Sequence, residues 1–364
     1  MRVTFVIPGA NLSGGIRIVA DHARILRERG HEVAVVAPRP RRPGLRARLR
    51  QGLRGSSPPM RSGPRRSHFD DLPGVLRRVR SRGRVVASDV PDGDVVIATW
   101  WETAEWVWRL PEAKGVKVNF LQGYEAHPGQ PRDRIDAVWR LPMPKIVVSR
   151  WLADIAREQF GDHEALLVPN GTDTERFRFR DRVPEGERRF GAMGSGAGFK
   201  RFDLACAVAR EVVRRCPAAR FVGFSSGGLD GDRFPEASEF EIQPPQDRIA
   251  EIYGSCDCWL FMSDAEGYGL PVLEAMACGT PVVARPAGAA PELLAGGGGR
   301  LVDSEDPAEL AQAVLDVLEL PAEQWKAMSR RAREEAEQHS WERIGQEMEQ
   351  ALLSILEDAG RRPA

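Results

Sequence analysis

The stretch SDAEGYGLPVLEAMACGTPVVA, residues 263–284, decides the fold and is where we place the chemistry. A hydrophobic strand precedes it at residues 259–262, and Pro271 opens a short helix that ends at Gly279. Proline at the start of a helix and glycine just past its end are the usual boundary signals. A second strand follows at once, so the stretch predicts a strand–loop–helix–strand unit of an α/β domain.

The loop and the first turn of this predicted helix have the features of an anion site. The first turn of a helix leaves backbone N–H groups unpaired and carries the positive end of the dipole. Gly267 and Gly269 let a ligand approach the backbone closely, so a diphosphate would fit there. Glu266 on the loop and Glu274 on the first turn bracket the spot, and carboxylates accept hydrogen bonds from hydroxyls. The predicted ligand has hydroxyls on both sides of a phosphate, as a nucleotide sugar does.

The segment EGYGLPVLEAMACGTPVV, residues 266–283, resembles the E-x7-E signature of the retaining glycosyltransferases of family 4. The resemblance implies the GT-B architecture, in which two Rossmann-like α/β domains face each other across a cleft and a C-terminal helix returns to the first domain. It further implies a nucleoside diphosphate sugar as donor substrate, a hydroxyl acceptor, retention of configuration, no cofactor and no metal.

The family pattern also implies a role for each matching residue. It puts Glu274 on the ribose hydroxyls and Glu266 on hydroxyls of the donor sugar. It puts the backbone N–H groups of Gly269 and Leu270 near the sugar and the phosphate. The candidate donor-binding residues are Glu274, Gly267, Tyr268, Gly269, Leu270, Gly14 and Gly15.

A second loop, residues 194–199, leads into Lys200 and Arg201. In the family this loop supplies an arginine and a lysine to the donor diphosphate. Lys200 matches the lysine, and Arg201 substitutes for an arginine whose usual earlier position holds another residue. Cations here would neutralise the diphosphate as it leaves. We therefore take Glu266, Lys200 and Arg201 as candidate catalytic residues; a basic first turn of a surface helix is the alternative interpretation.

The chain opens with a predicted strand, a glycine-containing loop and a helix over residues 16–29. This βαβ opening does not have the G-x-G-x-x-G pattern, so it gives little support to nicotinamide binding. Gly14 and Gly15 look like the double-glycine loop of the family, which lies near the diphosphate and the acceptor. A flexible turn is the alternative interpretation of this glycine pair.

Trp100 and Gln122 each follow a predicted strand at the edge where open α/β sheets bind ligands. The family commonly has a histidine at the position of Gln122, and here the nearest histidine, His127, is displaced into the loop. We take Trp100, Gln122 and His127 as candidate acceptor-side residues. Gln122 in a Q-x-Y-E context resembles rhamnosyltransferase-like members, which favours a dTDP-activated deoxysugar; a GDP- or UDP-activated hexose stays open.

A length of 364 residues suggests two domains. The Asn-Gly turn at Asn170 resembles the interdomain linker of the family and marks a boundary on physical grounds as well. The predicted division is an N-terminal acceptor-side domain over residues 1–171, a nucleotide-sugar-binding domain over residues 172–340, and a C-terminal helix over residues 341–364 that packs back on the first domain.

The charge is balanced at 52 basic and 52 acidic residues, which gives no indication of a nucleic-acid partner. It is uneven locally, because arginines crowd a predicted flexible insertion at about residues 38–68, between Arg39 and Arg66. Contact with an anionic membrane surface or an anionic acceptor, and a merely solvated insertion, both stay open. No apolar run approaches membrane-spanning length, so we expect a cytoplasmic protein, with peripheral binding to the inner face of the membrane as the variant.

Five scattered cysteines imply neither a disulfide framework nor a metal site, and we interpret Cys256 and Cys258 as core thiols of a protein in a reducing compartment. The sequences Asp92-Gly93-Asp94 and Asp230-Gly231-Asp232 are explained by turn chemistry. We predict no metal.

Two other functions remain as alternatives. One is a sugar-nucleotide epimerase or a phosphorylase with the same architecture, and the other is a non-catalytic GT-B scaffold that recruits partners through its arginine-rich insertion. The pair Glu266 and Glu274, together with the Gly14-Gly15 loop, favours glycosyl transfer over both.

Overall fold

The computed structural model describes residues 1–39, 67–126, 129–225, 227, 229 and 238–362. The chain divides into two compact units. The first unit contains Met1–Val147, Ile155–Val168 and Gly345–Ala364, and the second contains Val148–Asp154 and Pro169–Ile344. The second unit thus includes two short segments, residues 148–154 and 169–171, that the sequence assigned to the first domain.

The first unit is built on a parallel sheet. Its strands are β1 (Arg2–Val6), β2 (Glu32–Arg39), β3 (Leu76–Arg82), β4 (Val95–Ala98), β5 (Val116–Leu121), β6 (Lys145–Val147) and β7 (Leu166–Leu167). They lie in the order β3-β2-β1-β4-β5-β6-β7. The central strands are buried on both faces, as their continuous valine and isoleucine runs require.

The second unit contains a sheet of the same kind. Its strands are β8 (Arg188–Gly194), β9 (Ala219–Ser225), β10 (Glu239–Ile242), β11 (Cys258–Phe261), β12 (Val282–Ala284) and β13 (Gly299–Leu301). The order β10-β9-β8-β11-β12-β13 repeats that of the first six strands of the first sheet, and all neighbouring strands are parallel. This is the doubly wound Rossmann order.

Helices alternate with these strands. In the described ranges they are α1 (Gly14–Glu28), α2 (Trp101–Trp108), α3 (Arg132–Trp139), α4 (Arg150–Phe160), α5 (Phe202–Arg215), α6 (Gln246–Ser255), α7 (Leu270–Ala277), α8 (Ala290–Leu293), α9 (Pro307–Leu318), α10 (Ala322–Gln338) and α11 (Trp341–Asp358). The two Rossmann-like domains confirm the predicted α/β, GT-B fold class.

The terminal helix α11 joins the first unit from Gly345 onward. A Cβ atom on Gly345 would lie 2.5 Å from Cγ1 of Ile25, so α11 and α1 are in close contact at this glycine. Glu349 accepts a hydrogen bond of 2.8 Å from Nε of Arg29, and its other carboxylate oxygen is hydrogen-bonded to Nε2 of His31, also at 2.8 Å. The last helix is therefore part of the first domain by packing and by charge.

Three sequence expectations differ from the structure or fall outside it. Glu274 is the fifth residue of α7, in its second turn and not in its first, because the helix begins at Leu270. The edge strands β3 and β10 were not predicted. Most of the predicted arginine-rich insertion, residues 40–66, lies outside the described residues.

Candidate active site

In a doubly wound sheet, ligands bind outside the carboxyl ends of the strands where the strand order reverses. In the second sheet that point lies between β8 and β11. The loop after β8 ends in a 3₁₀ turn, Gly198–Lys200, and the backbone N–H of Asp264 on the loop after β11 donates to the carbonyl of Phe199 at 2.8 Å. The two loops that carry the candidate catalytic residues are thus hydrogen-bonded to each other.

Lys200 and Glu266 meet at this point. The ammonium of Lys200 pairs with Oε1 of Glu266, and the Ser263 hydroxyl donates to the same oxygen at 2.9 Å. The Lys200 and Glu266 side chains are 21% and 10% exposed. Together with Ser263 they form the polar wall of a pocket whose apolar wall includes Ala192, Met262 and Pro271. The structure therefore brings the predicted acid and the predicted cation into one pocket.

The helix that follows begins beside this pocket. Gly269 precedes α7 with φ +104°, a left-handed conformation that favours glycine, and a Cβ atom there would lie 3.1 Å from the Phe261 ring. Leu270 is the first helical residue, and Pro271 follows it in the first turn. The turn at Gly269 thus depends on the absence of a side chain.

Glu274 is buried on α7. The Tyr253 hydroxyl donates a hydrogen bond of 3.0 Å to its Oε2 atom. Tyr253 belongs to α6, and its fully buried ring lies edge-on to Trp259 with 4.4 Å between the ring centroids. The Tyr253 hydroxyl is held by its packed ring and therefore fixes the orientation of the carboxylate.

Gly267 and Tyr268, two further residues predicted to bind the donor substrate, form hydrogen bonds within the protein. The Gly267 carbonyl accepts a hydrogen bond of 2.8 Å from the Ser149 hydroxyl, within the second unit. Tyr268 is buried, and its hydroxyl forms a 3.1 Å hydrogen bond with Nδ1 of His339. A contact between Tyr268 and the donor substrate would therefore come from the Tyr268 backbone.

Gly288 packs under the same loop. It has φ +58°, and a Cβ atom there would lie 2.6 Å from the Tyr268 carbonyl oxygen and 2.9 Å from the Glu266 Cβ. The backbone of Gly288 therefore packs against the loop that carries Glu266, a contact that sequence reasoning missed.

Arg201 has an unusual conformation for a residue with a side chain. Its φ of +46° and ψ of +44° are left-handed. Its guanidinium lies 3.0 Å from a carboxylate oxygen of Asp264 and 3.2 Å from one of Glu305. A third carboxylate, that of Asp203, lies 3.6 Å from its Nε. Carboxylates thus hold the Arg201 side chain, and its expected contact with a diphosphate stays a prediction.

The candidate residues of the first unit lie at the carboxyl edge of its own sheet. Gly14 and Gly15 open α1, and a Cβ atom on Gly15 would lie 3.4 Å from Oε1 of Gln122, so Gln122 rests against the glycine. Trp100 directly precedes α2, and its backbone N–H donates to the Thr103 hydroxyl at 2.9 Å. His127 lies outside the described residues.

Glu125 is a buried carboxyl at the same edge that sequence reasoning did not single out. It accepts a hydrogen bond of 2.9 Å from the backbone N–H of Trp101, the first residue of α2. Burial raises the pKa of Glu125 to about 8. This carboxyl therefore keeps its proton at a pH where an exposed glutamate is ionised.

The cysteines and the two Asp-Gly-Asp sequences carry side chains of the types that bind metals. Cys256 and Cys258 are buried free thiols, as predicted, and burial raises the pKa of Cys256 to about 12. Asp94 accepts a hydrogen bond of 2.6 Å from the backbone N–H of Arg2, and Asp92 pairs with Lys114 at 2.7 Å. The second Asp-Gly-Asp sequence lies outside the described residues. Within the described ranges, His, Cys, Asp and Glu form no group of three suited to a metal ion.

Residues 237–335 match the family model of glycosyl transferases group 1. This group 1 match contains the E-x7-E segment and α7. The chain is also 33% identical, over 57% of its length and 52% of the relative, to the D-inositol 3-phosphate glycosyltransferase of Geodermatophilus obscurus. With the enzyme of the same name from Acidothermus cellulolyticus it shares 28% identity over 85% of this chain and 79% of that one. The chain spans about half the length of the first two curated relatives that it matches.

Solved structures agree with the fold over nearly the whole chain. A sucrose-phosphate synthase from Thermosynechococcus elongatus superposes with a TM-score of 0.75 at 17% identity, covering 98% of this chain and 100% of that one. The Anabaena protein HepE in complex with UDP-glucose gives a TM-score of 0.70 at 16% identity, with 97% and 100% coverage. At these identities the likeness establishes the fold. In the part of the chain that the structure describes, no helix has the length and apolar character to cross a bilayer.

Proposed function

We propose that this chain is a glycosyltransferase that moves a sugar from a nucleoside diphosphate sugar to a hydroxyl acceptor, with retention and without a metal. The observation that carries the proposal is the meeting of Lys200 and Glu266 at the switch point of the second sheet, beside the start of α7 and the buried Glu274. The group 1 match over the segment that holds both glutamates supports it.

Each group has a distinct task in this proposal. The Glu274 carboxylate, oriented by Tyr253, accepts hydrogen bonds from the ribose hydroxyls. Glu266 accepts hydrogen bonds from hydroxyls of the donor sugar. The N–H groups at the start of α7, from Gly269 onward, bind a phosphate oxygen. These contacts hold the donor with its anomeric carbon exposed to the acceptor.

Lys200 stabilises the leaving group. As the bond between the anomeric carbon and the phosphate oxygen breaks, negative charge develops on the diphosphate, and a fixed ammonium in a half-buried pocket stabilises that charge. The bond from the acceptor oxygen to the anomeric carbon forms on the same face. The acceptor proton passes to the departing phosphate oxygen, so the products are the glycoside and a nucleoside diphosphate. Arg201 is the second candidate cation for this step.

We assign the acceptor to the carboxyl edge of the first sheet. There Gln122 lies against Gly15, and Trp100 offers a half-buried ring at the end of the neighbouring strand. Amide and aromatic groups suit the polar and apolar faces of a sugar or polyol. Binding of an anionic surface by the arginine-rich insertion remains a separate proposal.

The first experiment is a thermal-shift panel with UDP, GDP, dTDP and ADP on the wild type and on Glu274→Gln. The amide still accepts the Tyr253 hydrogen bond but loses the charge and an acceptor. At about 100 times the dissociation constant, a nucleotide adds roughly 2.7 kcal/mol of stability to the wild type. We expect one nucleotide to stabilise the wild type and to bind Glu274→Gln at least about tenfold more weakly.

Glu251→Gln is the matched control, because Glu251 lies on α6 and pairs with Arg248 at the surface. It should bind the nucleotide as the wild type does. A wild type that none of the four nucleotides stabilises, with and without Mg²⁺, contradicts the proposal and brings the scaffold alternative forward.

A second experiment follows the reaction itself. Nucleoside diphosphate sugars with the base of the stabilising nucleotide are supplied together with a panel of hydroxyl acceptors, in buffer with EDTA. The panel includes D-inositol 3-phosphate, after the names of the relatives. We expect a glycoside whose anomeric proton coupling in NMR matches that of the donor. Inversion contradicts the retaining assignment, and a free epimerised sugar nucleotide formed without acceptor supports the epimerase alternative.

A further inference from the structure

Arg285 directly follows β12 and is almost completely buried. Its Nε donates to the carbonyl of Ser304 at 2.9 Å, and its terminal nitrogens reach the carbonyl of Met262 at 3.4 Å and Glu305 at 3.3 Å. It also forms an ion pair with Asp264. A planar guanidinium that fills its donor positions in this way fixes the groups around it.

Arg201 binds the same two carboxylates. It lies 3.0 Å from Asp264 and 3.2 Å from Glu305, while Arg285 contacts both. Two guanidinium groups and two carboxylates thus alternate in a closed network, which we call the four-charge network: Arg201, Asp264, Arg285 and Glu305. Alternation of charge is what makes such a network more stable than isolated surface pairs.

The four members come from loops that follow four adjacent strands. Arg201 follows β8, Asp264 follows β11, Arg285 follows β12 and Glu305 follows β13, and these strands are neighbours in the sheet in that order. Lys200 is adjacent to Arg201 in sequence, and Glu266 lies two residues after Asp264. The network therefore connects, side by side, the two loops that bring Lys200 and Glu266 into the pocket.

We propose that Arg285 is a positioning residue, which acts through Asp264 and Arg201 to hold Glu266 and Lys200 in the geometry that receives a diphosphate. The inference rests on the proposed function. The left-handed backbone of Arg201 is a conformation that persists only where its surroundings hold it. The Asp264 and Glu305 carboxylates, which bind its side chain, do so. Loss of Arg285 leaves Asp264 and Glu305 facing one cation, which weakens the hold of the network on the two loops.

The test compares nucleoside diphosphate with nucleoside monophosphate. The probe is the diphosphate that stabilises the wild type in the panel above and the monophosphate of the same base, each titrated by calorimetry. In Arg285→Gln we expect diphosphate affinity to fall about tenfold and monophosphate affinity to change less than about twofold, because Glu274 on α7 is outside the network. Arg285→Lys, which keeps the charge and loses the fork, should recover part of the loss.

Asp264→Asn provides the same test at a position that is 40% exposed, where we expect the fold to be retained. It should show the same selective loss, and the double variant Arg285→Gln/Asp264→Asn should lose no more than the worse single variant. The control is Arg300→Gln, which removes an arginine of β13 that pairs with Asp316. It should leave the ratio of the two affinities unchanged.

The outcomes separate the two proposals. A wild type that binds neither nucleotide contradicts both. A wild type that binds them, with Arg285→Gln and Asp264→Asn keeping the wild-type ratio of diphosphate to monophosphate affinity, overturns the positioning role and leaves the proposed function intact. A lower melting temperature with an unchanged ratio means that the network serves stability alone and also overturns the inference.

Discussion

Glu125 shows how a single side chain couples burial to pH. Its carboxyl accepts the N–H of Trp101 at the start of α2, and burial raises its pKa from 4.5 to about 8. Between these values the unfolded chain releases the proton and the folded chain keeps it. The unfolded state then binds fewer protons, so stability falls as the pH rises through this window.

We predict that Glu125→Gln reverses this dependence. Glutamine keeps the acceptor for Trp101 and has no proton to lose, so its stability relative to the wild type should rise by about 2–4 kcal/mol between pH 5 and pH 8, at ~1.4 kcal/mol for each pKa unit. Urea unfolding at the two pH values measures the difference. Glu112→Gln, at an exposed position, is the control. A difference that stays constant with pH would show that Glu125 is ionised in the folded chain.

The loop between β11 and α7 depends on backbone packing as much as on its carboxylates. Gly288 packs against Tyr268 and Glu266, and Gly269 packs against the Phe261 ring. Both glycines have positive φ, and both lie where a side chain would move the loop. The position of Glu266 is thus set partly by a glycine 22 residues later in the chain.

We predict that Gly288→Ala destabilises the fold by about 2–4 kcal/mol, from the strain of a left-handed alanine and from overpacking against the loop. It should also weaken binding of the stabilising nucleotide. Gly186→Ala is the matched control, since Gly186 has φ +67° and open space around a Cβ atom. It should cost only about 1 kcal/mol. Urea unfolding and the thermal-shift panel measure both effects, and equal losses in the two variants would contradict the packing role.

The first unit is completed by the last helix of the chain. Gly345 on α11 lies against Ile25 of α1, and Glu349 holds Arg29 and His31. These contacts join residues more than 300 positions apart in sequence. The stability of the first domain therefore depends on the C-terminal segment.

We predict that Gly345→Ala lowers the stability of the first unit. Overpacking costs about 1–3 kcal/mol of folding free energy, which outweighs the gain of roughly 1 kcal/mol in helix propensity. Amide hydrogen exchange should become faster in α1 and stay unchanged in α7. Gly254→Ala is the control, since the three atoms nearest to a Cβ atom there belong to the flexible side chain of Arg180, the first at 3.3 Å. Unchanged exchange in α1 would contradict close packing of α11 on the first domain.

The sequence by itself determined the alternation of strands and helices, the Rossmann-like domains and the segment that holds Glu266 and Glu274. Central strands and glycine-bounded helices can be predicted because their signals are local: apolar runs, Pro271 and Gly279. The edge strands β3 and β10 were missed because a strand at the edge of a sheet is not buried on both faces and has no continuous apolar run.

Only the tertiary structure decided which side chains meet. Lys200 pairs with Glu266 across 66 residues, Tyr253 orients Glu274, and Arg285 contacts the loops after β11 and β13. No spacing in the sequence encodes these contacts, because they arise where parallel strands place distant loops at one edge of a sheet. The sequence named the candidate site residues, and the fold supplied the residues that hold them, since positioning depends on packing between segments far apart in the chain.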